Sequence, residues 1–155
     1  QEKKVKIQWK NPTLPYLTIG YHGPAFSPRD KDMPALDLIS QLAFSETSPL
    51  YRKLVLEEQP VDSLYGGAGD RRDPNLFVIS ARIKEPQGIA PVQAALDATL
   101  EDLKIHPADQ RRLDDIKSHL KYSFQMRLDT ADSVASTLAH ILELTGDARK
   151  VANFK

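Results

Sequence analysis

Apolar positions recur along this chain with two periods, and which period prevails changes part-way along it. Residues Gln1 to Lys10 alternate, with Val5, Ile7 and Trp9 on one face and Lys4, Lys6 and Gln8 on the other. That period of two reads as an edge strand or an ordered lead-in. Asn11 to Pro15 interrupts it with two prolines. Tyr16 to His22 is β-branched and aromatic and predicts a strand. A turn-rich loop follows from Gly23 to Arg29. Asp32 to about Phe44 predicts a helix, with Asp32 as cap, Pro34 in the first turn and Leu36, Ile39 and Ala43 as its apolar stripe. Ser48 and Pro49 open a second, short helix through Leu56. Val61 to about Asp70 reads as a strand and Arg71 to Asn75 as a turn. Leu76 to Lys84 is the clearest strand, because Phe77, Ile79, Ala81 and Ile83 alternate with Val78, Ser80 and Arg82. Its first set is expected to face the helical layer.

Beyond the turn from Glu85 to Gly88 the period lengthens to that of a helix. Val92, Leu96, Leu100 and Leu103 mark one helix. Pro107 opens a second, with Leu113, Ile116, Leu120 and Phe124. Asp129 and Thr130 cap a third, with Val134, Leu138 and Ile141, closed by Gly146. Strands followed by three helices in a row predict an α+β fold, a mixed, largely antiparallel sheet covered on one face by helices. Residues 1–155 are expected to form a single domain, since no interior linker is long enough to divide them.

Composition narrows the chemistry. The chain has 155 residues, 41% of them hydrophobic, enough to bury a core. Lys plus Arg and Asp plus Glu are 21 each. A balanced charge argues against nucleic acid, whose partners carry a basic excess. Without cysteine there is no disulfide, no thiolate catalysis and no cysteine-based zinc site. No apolar run approaches the roughly 20 residues of a membrane span. These features leave both periplasm and cytoplasm open as compartments.

The four histidines, His22, His106, His119 and His140, form no pair at metal-ligand spacing. His140 and Glu143 lie one turn apart, but Leu144 stands where H-x-x-E-H needs its second histidine. Asp115 and His119, at i,i+4, read as surface electrostatics. Neither G-x-G-x-x-G nor the P-loop pattern occurs, and no G-x-S-x-G elbow is present. The run Gly66-Gly67-Ala68-Gly69 reads as a bulge or a close backbone approach. Arg71 and Arg72, between Asp70 and Asp73, read as a solvated turn. No residue is assigned a catalytic or metal-binding role.

Four passages nonetheless have a familiar order: TIGYHGPAFSPRD, then PALDLISQLAF running into SETSPLYRKLVLEEQ, then SLYGGAGDRRDPNLFVISARI, then the DQRRLDDIKSHLKYSF and TADSVASTLAHI helices. From Tyr16 to Arg149 the chain resembles the second half-domain of the insulinase/pitrilysin zinc peptidases, the inverzincins. Members of that family close two homologous halves around a chamber. The first half holds zinc through H-x-x-E-H, and the second lacks it. The resemblance places Asp37, Ser40 and Gln41 near the three motif positions, where no imidazole is present. Two substrate-holding positions of the family, an Arg and a Tyr, fall near Val55 and Asp62.

The resemblance implies a non-catalytic half-domain that forms the wall of a proteolytic chamber and helps to bind peptide. Zinc would belong to the catalytic half of the parent protein and not to this chain. Its partners would be that catalytic half, in the same or a partner chain, and a peptide substrate. Leu64, Tyr65, Gly66 and Gly67 are the expected peptide-contacting residues, on a strand whose edge could accept a peptide as an added strand. The resemblance also implies a C-terminally truncated fragment of a two-half protein, inactive alone. The alternative is a catalytically dead relative serving as scaffold or partner subunit in an assembly.

Overall fold

The computed structural model describes residues 2–147 and 149. Three strands form its sheet: β1 (Tyr16–His22), β2 (Val61–Gly67) and β3 (Leu76–Ile83). Their order is β1-β3-β2, antiparallel throughout, so β3 is central and β1 and β2 are the edges. Opposite Leu17, Ile19 and Tyr21 on β1 stand Ala81, Ile79 and Phe77 on β3. The β2–β3 register slips by one residue between Val61 and Ser63, a bulge at Asp62.

β3 alternates as its sequence predicts. Phe77, Ile79, Ala81 and Ile83 are buried, while Val78, Ser80 and Arg82 are half-buried on the other face. The buried set meets Ala43 and Phe44 of α1 (Asp32–Phe44), Leu50 of α2 (Pro49–Tyr51), Leu54 just beyond it, and Val92 and Leu96 of α3 (Ile89–Ile105) in one apolar cluster. Two further helices, α4 (Gln110–Met126) and α5 (Ala131–Thr145), follow, and α4 packs on α1. The expected α+β architecture, a sheet with helices on one face, is what the chain adopts.

Several local expectations change. Lys31, not Asp32, occupies the N-cap of α1, without a side-chain cap bond, and Asp32 is the first helical residue. The second helix is not uniformly α: after Tyr51 the chain passes into a π-helical turn, Arg52–Glu57, closed by the Glu58 amide donating to the Lys53 carbonyl at 2.9 Å. It ends at Glu57, and just beyond its cap Gln59 adopts the left-handed region at φ 54°. β2 stops at Gly67 and not near Asp70. α4 begins at Gln110, where the Asp109 side chain accepts from the Arg112 amide at 2.9 Å. Thr130 caps α5 as expected, and Gly146 ends it at φ 70°. Residues 2–10 form no strand, and Val5, Ile7 and Trp9 are 82%, 81% and 70% exposed. The alternation is real, but in this conformation no neighbour covers it.

Candidate functional site

Ser48 is wholly buried, and its hydroxyl accepts from the Tyr51 amide at 3.1 Å, turning the chain from α1 into α2. The two helices are thereby held over β2. At Gly66 a Cβ would overlap the Phe44 ring, so glycine is what lets that ring lie on the strand. Phe44 in turn meets Phe77, ring centroids 6.1 Å apart and tilted by 50°. The close approach read from the glycine run is therefore made at Gly66 by the protein's own helix.

The four expected peptide-contacting residues accordingly point different ways. Leu64 and Gly66 are buried on the helical side. Gly67 is also buried, with the Tyr65 hydroxyl and Ser40 Oγ near the position a Cβ would take. Only Tyr65 stands out from the sheet, 59% exposed. It belongs to the face opposite the helices, whose rows are Tyr16, Thr18 and Gly20 on β1, Arg82, Ser80 and Val78 on β3, and Ser63, Tyr65 and Gly67 on β2. One row is tied across all three strands. Arg82 donates to the Tyr16 hydroxyl and pairs with Asp62 at the bulge; the Tyr16 bond first, and Asp62 second, hold its guanidinium above the ordinary value. Arg82 Nε is buried without a hydrogen-bond partner.

α1 is the helix on which the resemblance lays the metal motif, and its side chains do not fit zinc. Ser40 spends its hydroxyl on the Leu36 carbonyl at 2.8 Å. Asp37 keeps exposed surface, yet crowding by the fold raises its pKa from the ordinary 3.8, with repulsion from Asp70 adding and attraction to Arg127 opposing. Among the described residues no three His, Asp or Glu side chains are placed to hold a metal ion. His140 Nδ1 lies 3.7 Å from Glu143 on α5, half-exposed, and His106 Nδ1 lies 2.8 Å from Asp102 at the end of α3. Asp115 and His119 both sit on the exposed side of α4. Val55 is half-buried in the π-helical turn and Asp62 is engaged with Arg82.

A family model described as the peptidase M16 inactive domain matches residues 1–120. The chain belongs to the peptidase M16 inactive-domain family. This M16 domain is 28% identical over 130 residues to the zinc protease PqqE of Helicobacter pylori, covering 83% of the chain and 29% of that protein. A solved protease structure from Helicobacter pylori superposes with a TM-score of 0.77 at 27% identity, over 90% of this chain and 33% of that one. A solved chain from Bordetella pertussis Tohama I gives 0.70 at 26% identity, over 86% of this chain and 72% of that one. The chain thus spans about a third of the length of the Helicobacter pylori proteins it matches. Membership confirms the insulinase-type resemblance and the non-catalytic half-domain. The relatives it matches include a protein described as a zinc protease and a structure described as a protease. No helix among the described residues is long and apolar enough to cross a membrane.

The structure adds two features that the sequence reading missed. Nothing in the sequence singled out Tyr16, Asp62 and Arg82 as a cluster, because they meet only through strand order and a bulge. An open hollow of about 280 Å³ between β1, α1 and α3, lined by Tyr21, Leu36, Ile39, Phe77 and Leu100 with His22, Asp97, Glu101 and Lys104, was equally hidden. The apolar period showed which residues face inward, not where inward-facing residues lack a cover.

Proposed function

We propose that this domain is the non-catalytic half of a two-half zinc metalloendopeptidase, forming part of the wall of its chamber and contacting the peptide substrate. The observation that carries the reading is an M16 inactive domain whose α1 offers Asp37, Ser40 and Gln41 where zinc would require imidazoles. Hydrolysis then belongs to zinc on the partner half, where bound water would supply the nucleophile. This chain's share is to bind and enclose. Tyr65 presents an aromatic ring with a hydroxyl on the uncovered sheet face, a group suited to sequence-tolerant contact. The outer edge of β2 offers backbone groups to an extended peptide. Leu64 and Gly66 would hold that strand in place from behind.

The test is to join the chain to an H-x-x-E-H half-domain, sought about one domain length, roughly 150–200 residues, before Gln1 or in a separate gene. Cleavage of an unstructured peptide, abolished by a chelator, is expected only when both halves are present. Tyr65→Ala should raise KM severalfold with kcat little changed, the mark of lost uniform binding. Equal kcat/KM for the catalytic half alone would sink the chamber-wall reading. If no such half-domain accompanies the chain, the scaffold reading takes its place.

A further inference from the structure

We propose that residues 4–10, exposed and unpaired in this conformation, dock as a fourth strand on the free outer edge of β1, closing the hollow between β1, α1 and α3. This rests on the fold and not on the peptidase reading. β1 uses its odd-numbered residues to bond β3: the Ile83 amide donates to the Pro15 carbonyl at 2.8 Å and the Gly23 amide to the Asn75 carbonyl at 2.7 Å. Alternation of the antiparallel ladder turns the amides and carbonyls of Tyr16, Thr18, Gly20 and His22 to the outer edge. Residues 11–15 are a connection of hairpin length between that edge and the alternating segment.

The favoured register is the one with the shortest loop in which every outward group finds a partner. Setting Lys10 opposite Tyr16 places Gln8, Lys6 and Lys4 opposite Thr18, Gly20 and His22, and none of these is proline. Tightening the loop by two residues would put Pro12 in a bonding position without an N–H. In the favoured register Trp9, Ile7 and Val5 face Leu17, Ile19 and Tyr21, the helix-facing residues of β1. Leu17 and Ile19 are only half-buried and Tyr21 is 43% exposed, although their β3 partners are fully covered. Val5 would reach the rim of the hollow at Tyr21 and Leu100. A slip of one residue would turn Val5, Ile7 and Trp9 away from Leu17 and Ile19 and leave both apolar rows uncovered, so parity itself selects the pairing. The lysine face would lie on the open side, where it blocks further edge pairing.

The chain has no cysteine, which makes the test direct. Opposed residues of a non-hydrogen-bonded pair lie within disulfide reach. In the full chain, Ile7→Cys with Ile19→Cys should oxidise to an intramolecular disulfide in high yield, and Lys6→Cys with Ile19→Cys should give at least about tenfold less. Equal yields, no bond in the first pair, or bonds only between copies would overturn the proposal. Trp9 is the sole tryptophan and gives a second reading on the unsubstituted chain. Its emission should be blue-shifted and shift red in Ile19→Asp, whereas emission of a fully hydrated indole in both would overturn the proposal.

Discussion

Ile79 of β3 and Ile116 of α4 sit on equally regular apolar stripes, yet the first is 0% exposed and packed among a dozen buried residues, and the second is 9% exposed and outside that cluster. The contrast extends to their elements. Four of the eight residues of β3 are buried, whereas Ile116 is the one buried residue of α4 and Ile141 the one of α5. Leu113, Leu120, Phe124, Val134 and Leu138 keep the predicted faces but are only half-buried. A periodic stripe therefore states a direction, and the depth of burial depends on what lies opposite. A helix without a deep partner draws little stability from its stripe, because tertiary packing supplies most of helical stability. Arg112 helps to hold α4 to α1 by donating to the Leu42 carbonyl at 2.8 Å, a polar tie where the sheet layer uses interlocked side chains.

The sharpest way to break this contrast is to remove the same atoms from both regions. Ile79→Ala should cost about 2–5 kcal/mol by denaturant unfolding, the range for a fully buried site. A loss below about 0.5 kcal/mol would mean that the sheet layer is not the packed core. Gly66→Ala comes next, at about 1–3 kcal/mol, because the Phe44 ring must be displaced from the strand. Phe44→Leu in the same chain should recover part of that loss, and a failure to recover would place the strain elsewhere. Ile116→Ala should cost clearly less than Ile79→Ala, about 1–2 kcal/mol, since its surroundings can relax or admit water. Costs equal within error would erase the distinction between the two regions.

The smallest effect concerns the junction of the two regions, where Asp37 of α1 senses Asp70 and the Arg127 that ends α4. Its folded-state pKa is raised, so the stability it contributes is present below the ordinary value of 3.8 and is lost as pH rises through the higher folded value. Asp37→Asn should thus be slightly more stable than the parent at neutral pH, with the gap closing as pH falls through the carboxylate range. Remaining solvent around Asp37 keeps the effect small. A variant less stable at neutral pH would show that attraction to Arg127 outweighs the crowding.

The regular parts were legible because their signals are local. Alternation along Phe77 to Ile83 and the stripes of the long helices survive any tertiary arrangement, and Thr130 and Gly146 act where they stand. The irregular parts depend on contacts distant in sequence. The π-helical turn carries no residue signature, and the left-handed Gln59 defies its own preference, at a cost typical of a non-glycine residue there. The expected end of β2 near Asp70 lies beyond its actual end at Gly67, because no side chain in Gly66 to Gly69 marks where pairing stops. Of the four expected peptide-contacting residues, sequence placed all on one strand but did not separate the exposed Tyr65 from the buried Leu64, Gly66 and Gly67. Family resemblance, carried by four ordered passages, was stronger than any single motif.

The strand order β1-β3-β2 has a kinetic consequence. β2 and β3 are neighbours in sequence and can pair as a hairpin, closing only a short loop. β1 cannot join until the whole stretch from Gly23 to Asn75 has been brought round, a closure with a larger entropic cost. Sheets built from such distant pairings fold slowly. The β2–β3 hairpin with α1 would therefore form the early nucleus, and docking of β1 would be the late step. Substitutions in β1 should then speed unfolding and leave the folding rate nearly unchanged, while those in β3 slow folding.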